Sequence, residues 1–234
     1  MRAIILAAGC GKRLAPMGWH QPKCLLEIGG QTLLQRTLDA CAIAGVTGAT
    51  IVLGFQHERV RRQLQSSPVP PDVLINEAYE TTNTLHSLWI ARESLREGFL
   101  YFNGDVLFDA GILPLLLQDG GSGLAVDEKV CGEEEVKVTT NEAGRALRIG
   151  KQLDPAACTG ESIGINYFDG ATADALITAL DRRNASPENR NLFFESAVDD
   201  ILADHVIRAV SIEPHRAIEI DTPEDYESAV NLWR

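Results

Sequence analysis

Apolar and polar positions fall in blocks along this chain, and the first block is the sharpest. Ala3-Ile4-Ile5-Leu6-Ala7-Ala8 is a continuous apolar run of strand length. Such a run, with no polar face, suits a strand covered on both sides. It breaks into Gly9-Cys10-Gly11-Lys12-Arg13-Leu14-Ala15-Pro16, and Gln21-Pro22-Lys23-Cys24-Leu25 follows. Thr32-Leu33-Leu34-Gln35 reads as a capping box opening a helix to about Ala44, with Gly45 ending it. The pattern then predicts a β-branched strand over 49–54, a short basic helix from Val60 to Leu64, and a strand at Val73-Leu74-Ile75. Leu85, Leu88, Trp89 and Arg92 mark a helix face ahead of the strand Phe99-Leu100-Tyr101-Phe102.

The second half is mixed. Val136 to Thr140, a turn at Asn141 to Gly144, and Ala146 to Ile149 read as a hairpin. Strands are expected at Ser162 to Phe168, 207–212 and 217–220, and helices at Ala171 to Arg182, near Phe193 to Ala203, and from Pro223 onward. Strands alternating with helices argue for an α/β fold whose sheet is covered on both faces, a three-layer α/β/α sandwich. No repeat, low-complexity tract or linker divides the 234 residues, which fit one domain, 1–234.

Composition narrows the partners. Hydrophobic residues make up 45% of the chain, enough for a substantial core, and no apolar run approaches the ~18 residues of a membrane span. Met1-Arg2 leads straight into a strand, with no signal-peptide pattern. Five cysteines without Cys-x-x-Cys spacing point to a reducing cytoplasm rather than a disulfide framework or zinc knuckle. The five histidines share no metal-ligand spacing. A net charge of −12 argues against nucleic acid. An acidic chain that binds an anion must gather its cations locally, and Lys12, Arg13 and Lys23 stand together with no acid between them.

That cluster frames a loop suited to phosphate. Small residues at Gly9 to Gly11 leave backbone amides free to face an anion, and Arg13 and Lys23 lie within reach of the same spot. It is not a Walker loop, since Gly11-Lys12-Arg13 supplies no hydroxyl for magnesium. Nor is it a dinucleotide fingerprint, because position 14 is Leu and the second strand runs out into Gly54-Phe55-Gln56 without an acid.

Leu6-Ala7-Ala8-Gly9-x-Gly11-x-Arg13-Leu14-x-Pro16 with Pro22-Lys23 resembles the signature of the nucleotidyltransferase superfamily that makes NDP-sugars and CDP-alcohols. The resemblance implies a Rossmann-like fold with a mixed, mainly parallel sheet and a small β-hairpin subregion for the acceptor. It divides the chain into a nucleotide half, about 1–110, and an acceptor half, about 111–234. In that family the loop, here Leu6, Ala7, Ala8, Gly9, Gly11 and Lys12, wraps the nucleotide phosphates, and the arginine and lysine, here Arg13 and Lys23, steady the pentavalent phosphorus. Asn103-Gly104-Asp105 closes a strand, and Asp221 follows another and precedes the capped helix start at Thr222-Pro223. Ligands of open α/β sheets gather at such strand ends. Magnesium takes one or two carboxylates with phosphate oxygens and water, and the family's two metal aspartates map onto Asp105 and Asp221.

Asn83-Thr84-Leu85-x-Ser87-Leu88 stands where sugar-1-phosphate enzymes carry a glycine-rich segment, and it resembles the CTP-using branch that activates phosphocholine, inositol phosphate or phosphonates. Asn83 and Ser87 are then expected at the base and the ribose or phosphate; a helix cap is the plain alternative. Lys137, Lys151 and Glu161 sit where the family places its acceptor. The comparable positions of the choline enzymes' tryptophan cage read Asn166-Tyr167-Phe168-Asp169 and Leu192-Phe193-Phe194-Glu195, which leaves aminoethylphosphonate or another small phospho-alcohol open beside phosphocholine. Trp19 and His20 are candidates to close over the triphosphate. The expected partners are CTP and a small phosphorylated or phosphonate acceptor, with Mg²⁺ and no membrane insertion; self-association is open. The rivals are a sugar-1-phosphate nucleotidyltransferase, a non-catalytic nucleotide sensor, and, least favoured, a dehydrogenase.

Overall fold

The computed structural model describes residues 1–233. Its first half comprises β1 (Arg2–Ala7), β2 (Glu27–Ile28), β3 (Gln31–Thr32), α1 (Leu33–Ile43), β4 (Gly48–Leu53), α2 (His57–Gln63), β5 (Pro71–Ile75), α3 (Thr84–Ile90) and β6 (Phe99–Asn103). Then come β7 (Val106–Phe108), α4 (Ile112–Leu117), β8 (Gly123–Asp127), β9 (Lys137–Thr140), β10 (Ala146–Gly150) and β11 (Gly160–Phe168). The chain ends in α5 (Gly170–Asn184), α6 (Glu195–Ile201), β12 (Arg208–Ser211), β13 (Ala217–Glu219) and α7 (Pro223–Leu232).

Nine strands form one mixed sheet along the path β10-β9-β11-β6-β1-β4-β5, with β8 on β11 and β12 on β8. The first-half ladders, β6·β1, β1·β4 and β4·β5, are all parallel. β11 then enters antiparallel to β6, β8 and β9. Alternation along each central strand sorts its side chains into two cores. Ala3, Ile5 and Ala7 of β1 join Leu34 and Leu38 of α1, Val60 of α2 and Leu113 of α4. Ile4 and Leu6 face the other way, to Leu85 of α3, Leu176 of α5 and Val198 of α6. The fully apolar first run is thus a strand with helices on both faces, which completes the α/β/α sandwich. A third cluster ties Leu14 and Leu26 to Ile220 and Ala229, so the phosphate loop and the C-terminal helix share one anchor.

Capping follows the sequence closely at two helices. The Thr32 hydroxyl accepts from the Gln35 amide at the start of α1, and Thr222 and Asp225 form a reciprocal capping box at α7. Elsewhere the structure adds elements the pattern did not predict. Ile112–Leu117 is a helix despite its all-apolar run and internal Pro114, and Gly123–Asp127 is an inner strand. No helix among the described residues is long and apolar enough to cross a membrane. All five cysteines are free thiols.

Two glycines bring the strand ends close enough to make a site. A Cβ on Gly104 would lie 2.7 Å from the Leu6 carbonyl oxygen and 2.9 Å from the Ala7 Cβ. Gly164, at φ +71°, bends β11 beside Asn103, where a Cβ would come within 2.3 Å of the Asn103 amide nitrogen. Gly104→Ala should therefore force β1 and the Asp105 turn apart, costing about 1–3 kcal/mol and lowering the melting midpoint by about 2–10 °C. An unchanged midpoint in calorimetry would show that this approach is not a constraint.

Candidate active site

The strands β1 and β6 end side by side, and the loops that leave them border one cleft of about 720 Å³. The adjoining hollow of about 280 Å³ runs under the glycine loop, lined by Ala7, Gly11, Lys12 and Gly104. Leu6, Gly9, Arg13, Lys23 and Asp105 belong to both. Gly11 takes a left-handed φ of +59° and starts a 3₁₀ turn over Lys12–Met17. The amides of Gly9, Cys10 and Gly11 find no partner among the described backbone and side-chain acceptors. Unsatisfied amides on a turn with Lys12 and Arg13 beside them make an anion cradle.

Opposite the cradle stand the acids. Lys23 Nζ lies 2.9 Å from Asp105 Oδ2 and also pairs with Asp221 Oδ1, while Arg13 pairs with the other oxygen of Asp221. Burial alone would lower the Lys23 pKa, but Asp105 and Asp221 outweigh it and hold the ammonium above its usual range. Asp221 is fixed from behind, its amide donating to Asp225 Oδ2 at 3.0 Å. Asp105 is fixed through its carbonyl, which accepts from Ile220 N at 3.0 Å, so the two strand ends are stitched together.

Glu219 completes this group, and sequence reasoning missed it. One carboxylate oxygen each of Asp105, Glu219 and Asp221 lie within 4.8 Å of one another. The signal was there: Glu219 and Asp221 are two apart on an extended segment, so their side chains share a face. Glu219 opens onto the cleft, yet desolvation by the cleft walls, then the charges of Asp105 and Asp221, push its carboxyl above the ordinary range. Three crowded carboxylates, with the proton affinity of Glu219 raised by the other two, are a donor set that a hard divalent cation would relieve.

The wall formed by α3 and the segment before it also lines the cleft. Asn83 is the helix N-cap, its side-chain oxygen accepting from Thr84 N at 2.9 Å. Ser87 is 4% exposed, and its hydroxyl accepts from Asn76 Nδ2 at 3.1 Å. Asn103 also lines the cleft, and its Oδ1 accepts from the Tyr101 hydroxyl at 2.7 Å.

At the far end the expected acceptor residues divide. Lys151 and Glu161 line the cleft. Glu161 is engaged by Lys129 at 2.6 Å, a cation the sequence reading passed over. Lys137 is the departure: it lines neither hollow and is fully buried. Its Nζ donates to the carbonyls of Gly132 and Glu133 at 3.0 Å each and of Glu135 at 3.2 Å, so it ties down the 132–135 loop instead of facing an acceptor. Trp19 likewise packs against two apolar clusters instead of standing free as a flap. Glu195, unassigned from sequence, lies 5% exposed at this end. Burial pushes its carboxyl up to about 7, offset in part by its own amide and by Lys151.

A loop with free amides and two cations, facing a carboxylate cluster across a cleft at the strand ends of an α/β sheet, is the kind of site an enzyme acting on a phosphorylated substrate requires. The nucleotidyl transferase family model matches residues 2–128, and the chain belongs to that family. It is accordingly an enzyme that transfers nucleotidyl groups. A choline-phosphate cytidylyltransferase of Streptococcus pneumoniae is 24% identical over 245 residues, covering 100% of this chain and 99% of that one. A solved structure of the CTP:phosphocholine cytidylyltransferase from that species superposes with a TM-score of 0.84 at 21% identity, covering 100% and 99% of the two chains. A 2-aminoethylphosphonate cytidylyltransferase of Lancefieldella rimae is 25% identical over 94% of this chain and 88% of its own. A UTP–glucose-1-phosphate uridylyltransferase of Haloferax volcanii is 23% identical, covering 98% and 95%.

Replacing Lys137 by Met should keep the bulk of the side chain but strand three carbonyls, costing about 1–3 kcal/mol. Amide exchange should then accelerate across 132–135. Unchanged exchange there would mean that the ammonium does not order the loop.

Proposed function

We propose that this chain joins CTP to a small phosphate or phosphonate monoester in a magnesium-dependent reaction that releases pyrophosphate. The observation that carries the reading is the convergence of Arg13 and Lys23 with Asp105, Glu219 and Asp221 at the edge of an amide-lined cradle. Magnesium suits that donor set, since it combines one or two carboxylates with phosphate oxygens and water. Bound there, it would supply charge stabilisation for the triphosphate and the leaving pyrophosphate.

The nucleophile, a phosphate or phosphonate oxygen, is already ionised near neutral pH, so no general base is needed. The obstacle is repulsion between two anions. Lys23 and Arg13, now paired with aspartates, would turn toward the α-phosphate and its leaving group as these enter the cradle. The 3₁₀ turns of the loop fix their backbone, so only the side chains need move to meet the phosphate. Loss of one such charge typically costs ~10² to 10³ in rate.

The base would stack along the α3 wall. The Asn83 oxygen keeps a second lone pair after capping α3. That lone pair, or loop carbonyls near Leu6 and Ala7, would accept from the exocyclic amine of cytosine. UTP would oppose an oxygen to these acceptors, a mismatch worth ~1–3 kcal/mol. The sugar-1-phosphate alternative keeps support from the uridylyltransferase relative, and nucleotide choice separates the two.

Three outcomes follow. Asp105→Ala and Asp221→Ala should each abolish turnover without unfolding the chain, and EDTA should stop the wild type until Mg²⁺ is restored. Near-normal turnover in either variant would remove that aspartate from the site. Lys23→Ala should lower kcat more than it raises the KM for CTP, because its charge is needed most as the phosphorus becomes pentavalent; an effect on KM alone would make it a ground-state clamp. CTP should exceed UTP in kcat/KM by at least about tenfold, and equal use would favour the sugar-nucleotide reading.

A further inference from the structure

The acceptor end of the cleft is crowded with acids, and all but one are answered from within the chain. Glu161 and Asp127 face Lys129, at 2.6 and 3.9 Å. Glu134 lies 3.8 Å from Lys151, and Glu135 accepts from the Gly132 amide at 2.9 Å. Glu195 Oε2 is enclosed and has no hydrogen-bond partner among the described residues. Lys151 does not fill that role, because its ammonium sits 4.9 Å above the Phe193 ring, on the Glu134 side.

Glu195 is also held firmly. Asn83 N donates to the Arg190 carbonyl at 2.9 Å, Leu85 N to the Leu192 carbonyl at 3.2 Å, and Phe194 N to Thr84 Oγ1 at 2.9 Å. The nucleotide wall and the acceptor end are thereby one rigid unit. The preceding residue, Phe194, packs on Tyr101 with ring centroids 4.1 Å apart, which anchors the chain at the start of α6. A buried carboxylate oxygen without a partner is costly unless a donor arrives to meet it.

We propose that Glu195 selects the acceptor by binding a primary ammonium on it, at the end remote from the phosphate or phosphonate that attacks CTP. The proposal rests on the function inferred above and names the class of substrate for that same site. A primary ammonium has N–H bonds to give to Oε2, and its charge matches. A trimethylammonium has none and depends on aromatic faces. Phe193 is the one aromatic ring lining this end among the described residues, and Lys151 already lies over it. A neutral hydroxyl could donate but brings no charge to favour the ionised carboxylate over its protonated form. Lys129 and Lys151 remain as cations for the acceptor's anionic group.

The test is direct binding by titration calorimetry on the full chain, with Mg²⁺ and a non-hydrolysable CTP or UTP analogue present. 2-Aminoethylphosphonate should bind at least about tenfold tighter than 2-hydroxyethylphosphonate, the usual scale of a charged hydrogen bond. Phosphoethanolamine should likewise bind ahead of phosphocholine. Glu195→Gln should collapse both differences, and Glu195→Asp should restore part of them. Equal binding of amine and hydroxyl by the wild type, preference for phosphocholine, a preference that survives in Glu195→Gln, or no binding of any of the four, each overturns the assignment. If the Gln variant does not fold, the two wild-type comparisons decide alone. Turnover with UTP in place of CTP would defeat the proposed nucleotide and leave the amine preference intact. Turnover with CTP but no amine preference would defeat Glu195 alone.

Discussion

The pairing of Lys23 with Asp105 and Asp221 is the contact on which the rest of this chain depends. It joins a residue from the first loop to the ends of two strands far apart in sequence. Opposite charges crowded in a cleft are stable only while each answers the other. The pairing therefore holds the cradle and the carboxylates at a fixed separation. On the proposed function it would also keep both halves of the site neutralised until a triphosphate and a metal arrive to separate them. The local fold serves this pairing: the close approach at Gly104, the Asp105–Ile220 hydrogen bond and the Thr222–Asp225 cap each fix one carboxylate.

Much of this was legible because the residues involved sit at element boundaries. A glycine turn after an apolar run, an aspartate after a strand and a Thr-Pro start to a helix carry their geometry in the sequence. Arg13, Lys23, Asp105 and Asp221 meet in one cleft, as their strand-end positions imply. Glu219 was hidden because the pattern reads it as inside a strand over 217–220, where an acid reads as a solvent-facing residue, whereas β13 ends at it beside Asp221. Lys137 shows the same blindness in reverse. A lysine in a hairpin reads as exposed, yet its ammonium has been drawn inward by three loop carbonyls.

The acceptor end was the least legible region, since its residues come from β8, β11, the loops that follow β8 and β10, and the start of α6. Lys129 stands in a loop with no periodic signal and Glu195 opens a helix whose pattern does not mark it, and their importance lies in who pairs with whom. The same acids that looked interchangeable in sequence separate once Glu161 is found bridged and Glu195 is found alone. In the proposed nucleotide half the backbone of the first loop would do most of the recognition, which a pattern of small residues announces, whereas in the proposed acceptor half it would fall to long side chains from distant segments.

The central claim is that attack occurs at the α-phosphorus of a nucleotide held by the first loop. Phosphorus NMR of the wild type with Mg²⁺, CTP and 2-aminoethylphosphonate tests it most directly. The account predicts pyrophosphate and a new CMP-linked phosphonic anhydride appearing in equal amounts, both dependent on the acceptor. Release of inorganic phosphate with CDP, or pyrophosphate formed at the same rate without acceptor, would place the chemistry elsewhere and contradict it.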